Sequence, residues 1–189
     1  MDLVLVDRAR ALLGRHGEVR PQPASDWTGD VELHSDLAVY YQEVGPSDVE
    51  IRGYGNSFFL PRLAKLWEFQ AGYRWNSCTG ATIADWSDDW LVVADQGGDP
   101  FMFSRRAQTV LFAVHGTGAW KPRSVFPNVI TMASCLAAMG SIVFDAGGRF
   151  TNDDGYICPD FRNAIDTALA GNLVPGLDVA EFLNLLGWA

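Results

Sequence analysis

Basic residues are in deficit in this chain, and histidine and cysteine are scarce. The 14 Lys and Arg stand against 23 Asp and Glu, a formal net charge of −9. This excludes a nucleic-acid binder, because neutralising phosphates needs a clustered excess of Lys and Arg; it suits a basic protein partner, and it also keeps a protein soluble. The three cysteines, Cys78, Cys135 and Cys158, are odd in number, widely spaced, and without a Cys-x-x-Cys pair or a histidine at ligand spacing. That excludes the usual zinc and disulfide frameworks and predicts reduced thiols. No Gly-Lys-Ser/Thr occurs, and Lys121 stands where a third glycine would follow Gly116 and Gly118, so a phosphate cradle fails.

Long uniform apolar runs are missing too. The longest uncharged apolar segment, Val125 to Val143, contains Pro127, Asn128, Thr131, Ser134 and Ser141. A membrane span of about 20 residues would be more uniform, so the segment reads as a buried helix in a soluble protein. Met1 to Asp7 lacks a basic region and a long apolar stretch, so no signal peptide is expected and the location is read as cytoplasmic. No internal repeat or low-complexity segment is seen.

Apolar residues are plentiful, at 48% of 189 residues, enough for one domain with a substantial core. Between Asp85 and Trp120 three short apolar runs, Leu91 to Ala94, Phe101 to Phe103 and Thr109 to Val114, are separated by turn residues such as Asp95-Gln96-Gly97-Gly98-Asp99. They read as consecutive antiparallel strands of a meander. Val49 to Tyr54 alternates as a half-buried strand, and Phe58 to Leu60 continues the sheet. Helical spacing predicts a first helix over residues 3 to 14 and a second from a Ser35-Asp36 cap to Gly45-Pro46. A third opens at Pro61 and carries Leu63, Leu66, Trp67 and Phe69 up to Gly72. A fourth opens at Pro127 and ends at Gly147-Gly148; a fifth covers Asp160 to Leu169, and a sixth covers Val179 to Leu186 after a Pro175-Gly176 turn. Strands in the middle and helices at both ends make an α+β pattern rather than βαβ alternation.

The chemistry-bearing residues are few. Asp85, Asp88, Asp89, Asp95 and Asp99 cluster in sequence, but calcium needs several oxygens converging on one point, and Asp is also favoured in turns. Asn152, Asp154 and Gly155 resemble part of a calcium loop, yet Phe150 and Phe161 occupy the first and twelfth ligand positions. His115, flanked by Gly116, would need a nucleophile and an orienting carboxylate to act as a base. No metal or cofactor is therefore expected, and a hydrolase using His115 with Asp95 or Asp99 is the lesser alternative. Seven Trp are spread along the chain. Most should pack in the core, while Trp75 and Trp86, on either side of the loop containing Gly80, are the candidates for contact anchors beside acidic residues.

These pieces in this order resemble the SUKH superfamily, the Smi/Knr-type proteins that serve as immunity proteins in bacterial polymorphic-toxin systems and as cell-wall regulators in fungi. The carrying residues are Tyr40 to Pro46, Leu60-Pro61 with Leu63, and above all Trp86-x-x-x-Trp90 to Asp95 with Gly98-Asp99-Pro100-Phe101-Met102-Phe103. His115 to Trp120, with Gly116 and Gly118, looks like the family's turn between the last strand and the closing helix, and Ser124 to Leu136 like that helix. The likeness covers about residues 30 to 143. Relatives commonly carry Asp after the Phe-x-Phe strand, where this chain has Ser104 followed by Arg105-Arg106. The resemblance implies a mixed antiparallel sheet with helices packed on it, read as a SUKH-like domain over residues 1–146; the helical extension over 147–189 lies outside the likeness and is read from helical spacing. It further implies a non-catalytic binding protein, either an immunity protein against a toxin domain or a regulatory scaffold; the charge and the uneven apolar segment, for their part, predict no nucleic-acid or membrane partner. The partner-binding face is expected on Trp75, Trp86, Asp88, Asp89, Asp95 and Asp99.

Overall fold

The computed structural model describes residues 3–170, 173, 174 and 176–188; Pro175, half of the expected Pro175-Gly176 turn, lies outside them. A six-stranded sheet runs in sequence order, every neighbour antiparallel: β1 Val49–Ile51, β2 Phe58–Leu60, β3 Trp90–Gln96, β4 Asp99–Ser104, β5 Val110–Phe112 and β6 Arg123–Phe126. The chain is thus α+β, with a meander as its centre. Gln96 pairs with Asp99 across Gly97-Gly98, whose φ values of 63° and 100° only glycine adopts without strain, so the loop is a two-residue hairpin.

The helices α1 Leu3–Leu13, α2 Ser35–Glu43, α4 Val129–Ala146, α5 Pro159–Leu169 and α6 Val179–Leu185 share one buried core with the inward residues Phe58, Leu91, Phe101, Phe103, Val110, Phe112 and Phe126. Helix α4 lies at its centre, against α1 and α5, and is buried on nearly every side. By length and composition alone it could cross a membrane, but its apolar surface is spent on its neighbours. Trp188, close behind α6, is fully buried against Phe58, Tyr54 and Phe150. The described residues after 146 therefore complete the same core that the first part of the chain begins.

Several boundaries differ from expectation. Ser124 belongs to β6, a sixth strand, so the closing helix does not begin there; it starts at Val129, where the Asn128 side chain accepts the Thr131 N–H at 2.8 Å. Pro127 stands before that cap. Accordingly the turn from His115 to Trp120 connects β5 to β6 rather than strand to helix. His34, not Ser35, caps α2, accepting the Asp36 N–H on Nδ1 at 3.2 Å. The third helix is cut to α3 Leu63–Leu66 plus a separate 3-10 turn, Glu68–Gln70, and Pro61 precedes it with its carbonyl accepting the Tyr41 hydroxyl at 3.1 Å.

Candidate functional site

Among the described residues no long helix covers the second face of the sheet. The segment from Trp67 to Asp89 straps across it, and Phe69, Tyr73, Ile83 and Trp86 pack with Trp90, Val92, Met102, Leu111, Ala113 and Trp120 into a smaller core of their own. Trp86 is its keystone: only 7% exposed, it meets the rings of Trp90 at 5.4 Å, Trp120 at 5.5 Å and Tyr73 at 5.9 Å. Expected as a surface anchor, it instead holds the strap down. Trp90 and Trp120, two of the motif aromatics, are its half-buried partners, and Pro100 is buried in β4.

Within the strap, Arg74 to Ile83 forms a small hairpin. Trp75 bridges Thr82, the Ile83 N–H donates to the Arg74 carbonyl at 3.0 Å, and the Gly80 N–H donates to that of Asn76 at 2.8 Å. The Asn76 side chain accepts the N–H groups of Cys78 and Thr79, which fixes the tip, and residues 76–82 are exposed. Trp75 is half-buried, its ring 5.0 Å from that of Trp67, which in turn meets Trp27 edge-on at 5.7 Å. The Arg74 guanidinium lies over Trp67 at 5.6 Å and donates to Asp88 Oδ1 at 2.7 Å. Asp88 is 90% exposed, Arg74 only 14%. Around these residues opens a groove of about 380 Å³, lined by Asp30, Val31, Trp67, Arg74, Trp75, Gly80, Thr82 and Asp88.

The other carboxylates have separate tasks. Asp89 is 12% exposed; it accepts the Ser104 hydroxyl at 2.6 Å and the Arg106 N–H at 2.8 Å. That answers the missing aspartate after the Phe-x-Phe strand, since Ser104 with Asp89 supplies the acceptors the β4–β5 turn needs. Asp95 accepts the Tyr73 hydroxyl at 2.9 Å. Burial raises its carboxyl above the ordinary range and neighbouring Asp99 adds to this, although the Tyr73 hydroxyl and the Gly98 N–H pull it down. Asp99 accepts both the backbone N–H of His115 at 2.7 Å and its ring Nδ1 at 2.6 Å. Gly98 lies beside that ring, where an added Cβ would stand 3.6 Å from Nδ1. Gly116 and Gly118 take φ of 75° and 92° in an exposed turn, and Asp85 accepts the Trp120 N–H at 3.2 Å.

The structure thus brings Trp75 and Asp88 together at a groove, joins Asp99 to His115 at the hairpin end, and puts Trp86 and Asp89 into the framework. Among the described residues no three His, Cys, Asp or Glu side chains converge as a cation site, and the Asn152 side chain accepts its own loop's Asp154 and Tyr156 N–H groups. Sequence reasoning missed Asp30, Trp67, Tyr73 and Arg74 as members of this face. The available signal was aromatic density, with Trp67, Phe69, Tyr73 and Trp75 within nine residues, more rings than one short helix face can bury. Comparison with protein-family models, curated proteins and solved structures finds no match to the chain.

Proposed function

We propose that the chain is a non-catalytic cytoplasmic protein-binding module of SUKH type, an immunity protein that neutralises a toxin domain by covering it. The observation that carries this reading is the half-buried Trp75, on a hairpin closed by its own hydrogen bonds, near the exposed Asp88 that Arg74 of the same hairpin holds. An aromatic anchor next to a solvent-exposed carboxylate is the composition of a binding patch, and preorganisation lowers the entropy lost on association. The net charge of −9 supports a basic partner through long-range steering. The antiparallel α+β architecture is of the class that the SUKH resemblance implies.

The test is capture of the toxin encoded beside this chain at its locus, with wild type compared against Asp88→Lys. Asp89 is left intact because it holds the β4–β5 turn. The variant should associate about tenfold more slowly at low salt, a difference that shrinks as salt screens the charges. Equal rates remove this face, and no capture by wild type of any toxin at the locus favours the regulatory scaffold instead.

One observation favours a second reading: the 2.6 Å contact of His115 Nδ1 with Asp99 is the orienting half of a general base. His115 is 60% exposed, the hydroxyl of neighbouring Thr117 is turned to the backbone carbonyls of Val114 and Ala119, and the groove of this turn is lined by neither His115 nor Asp99. The pair therefore suits pinning the turn better than activating a nucleophile. His115→Ala should retain toxin capture within about twofold, as expected for an exposed contact; loss of function in the folded variant would support hydrolysis.

A further inference from the structure

The groove beside Trp75 carries a more specific assignment, which rests on the protein-binding reading. We infer that it seats one guanidinium or ammonium side chain of a basic protein partner, between the Trp75 ring and the carboxylates of Asp30 and Asp88. Two features point to a cation, and a third fixes the loop that carries the unpaired acid.

The first is the chemistry of the lining. Trp67, Trp75 and Val31 are apolar, while Asp30 and Asp88 are exposed acids. Aromatic faces attract cations through their quadrupole, and carboxylates beside them add charge and directional acceptors.

The second is an internal precedent. The Arg74 guanidinium already lies over Trp67 and donates to Asp88 Oδ1, so this surface holds one cation from its own chain. Arg74 is nearly buried, however, and satisfies one oxygen of one acid. Asp30 has no hydrogen bond or ion pair among the described residues, so the two acids and one arginine leave one negative charge at the mouth.

The third is that the acid is placed by design of the backbone. Trp27 Nε1 donates to the Val31 carbonyl at 2.8 Å, which closes the loop from 27 to 31. Gly29 lies against the Trp27 ring so closely that a Cβ there would stand 2.1 Å from it. The loop therefore folds back on its own indole, and Asp30, between Gly29 and Val31, is carried to the groove lining by that closed loop.

The occupant is a protein side chain rather than a free metal ion, because the walls are indole rings and two carboxylates alone do not make a cation shell. Arginine fits best, since its planar fork stacks on a ring and pairs with carboxylate in one pose.

The probe is N-acetyl-arginine amide, with the neutral isostere N-acetyl-citrulline amide as control, followed on the indole N–H signals of the 15N-labelled protein. The chain has seven Trp, and Trp75→Phe assigns the relevant signal. Saturable movement of the Trp75 and Trp67 signals by the arginine compound, and none by citrulline, is expected. Asp30→Asn/Asp88→Asn should weaken the titration at least about threefold, the scale of exposed ion pairs, whereas Asp153→Asn/Asp154→Asn, an equal change of net charge, should leave it alone. Equal weakening by both double variants, or equal response to citrulline, overturns the assignment. Toxin capture lost in Asp88→Lys with no arginine saturation would sink the groove and spare the binding reading; arginine saturation with no toxin captured would do the reverse.

Discussion

Gln70 shows how one buried amide can replace a missing strand. β2 pairs with β3 only at Gln96 and Asp95, so the earlier half of β3 has no strand on that side. The Gln70 side chain fills the gap: its Oε1 accepts the Val92 N–H at 2.8 Å, and its Nε2 donates to the Val92 carbonyl at 2.9 Å and the Leu66 carbonyl at 2.8 Å. Gln70→Leu keeps the volume and orphans three buried backbone groups. A loss of about 2–4 kcal/mol is expected, read as a lower urea midpoint at unchanged slope; a change below about 0.5 kcal/mol would mean that water takes over those groups. His16 gives a pH signature at the same scale. Burial against α4 lowers its pKa, which the Ala137 carbonyl and Asp145 only partly offset while Arg15 adds to the lowering. The folded state then binds fewer protons than the unfolded chain below pH 6.5, so the stability it confers is full above that value and is lost as pH falls through the lower folded pKa. Denaturation from pH 7.5 to 5 should show a steeper loss for wild type than for His16→Gln; parallel curves would assign the acid sensitivity elsewhere.

Among the elements, α4 and β1 approach unusually closely at Gly140. A Cβ there would lie 2.1 Å from Ile51 Cγ2 and 3.0 Å from the Arg52 carbonyl. Gly→Ala inside an exposed helix stabilises by about 1 kcal/mol; here overpacking reverses the sign, and Gly140→Ala should cost about 1–3 kcal/mol. Ile51→Ala, which removes the Cγ2 that the new Cβ would meet, should cost less in the Gly140→Ala background than alone, and full additivity of the two changes would argue against the contact. Elements of this kind differ in how visible they are in sequence. β3 and β4 announce themselves because seven- and six-residue strands flank Gly97-Gly98, a turn that only one hairpin type accepts. β6 does not, because Arg123-Ser124-Val125-Phe126 is short, lies between Pro122 and Pro127, and buries only Phe126 fully. Its apolar end runs into the α4 pattern, so periodicity alone extends the helix backwards through it. The strap was misjudged for a related reason. Its turn-rich composition from Asn76 to Asp89 reads as a free loop, and nothing local reveals that Trp86 reaches Tyr73, Trp90 and Trp120. Asp88 is legible as an exposed acid; the pairing of Asp99 with His115 depends on the register of β4 against β5, which sequence spacing does not give.

At the level of the whole molecule, the sheet has two covers of different strength, and this decides how the protein should respond to truncation. The inner face is closed by α1, α2, α4, α5 and α6, and the last described residue, Trp188, sits at the bottom of that core against Phe58 at 5.7 Å. The extension after residue 146 adds Phe150, Ile165, Leu169, Val179, Phe182, Leu183 and Leu186 to the same cluster. Large side chains contribute about 1.5–3 kcal/mol each on full burial, so removing them exceeds the 5–15 kcal/mol net stability of an ordinary domain. A chain ending at residue 146 should therefore fail to fold, giving no cooperative thermal transition and aggregating on expression. Trp188→Ala in the full chain should cost about 3–5 kcal/mol while leaving the outer strap intact, because its rings form a separate cluster with Trp86 at the centre. The two covers can be told apart by hydrogen exchange: Trp188→Ala should speed exchange in α5 and α6 and spare Ile83 and Trp86, whereas Trp86→Ala should loosen the hairpin from 74 to 83 first. A truncated chain that melts cooperatively, or equal acceleration of both regions in Trp188→Ala, would show instead that the first 146 residues stand alone or that the covers unfold as one unit.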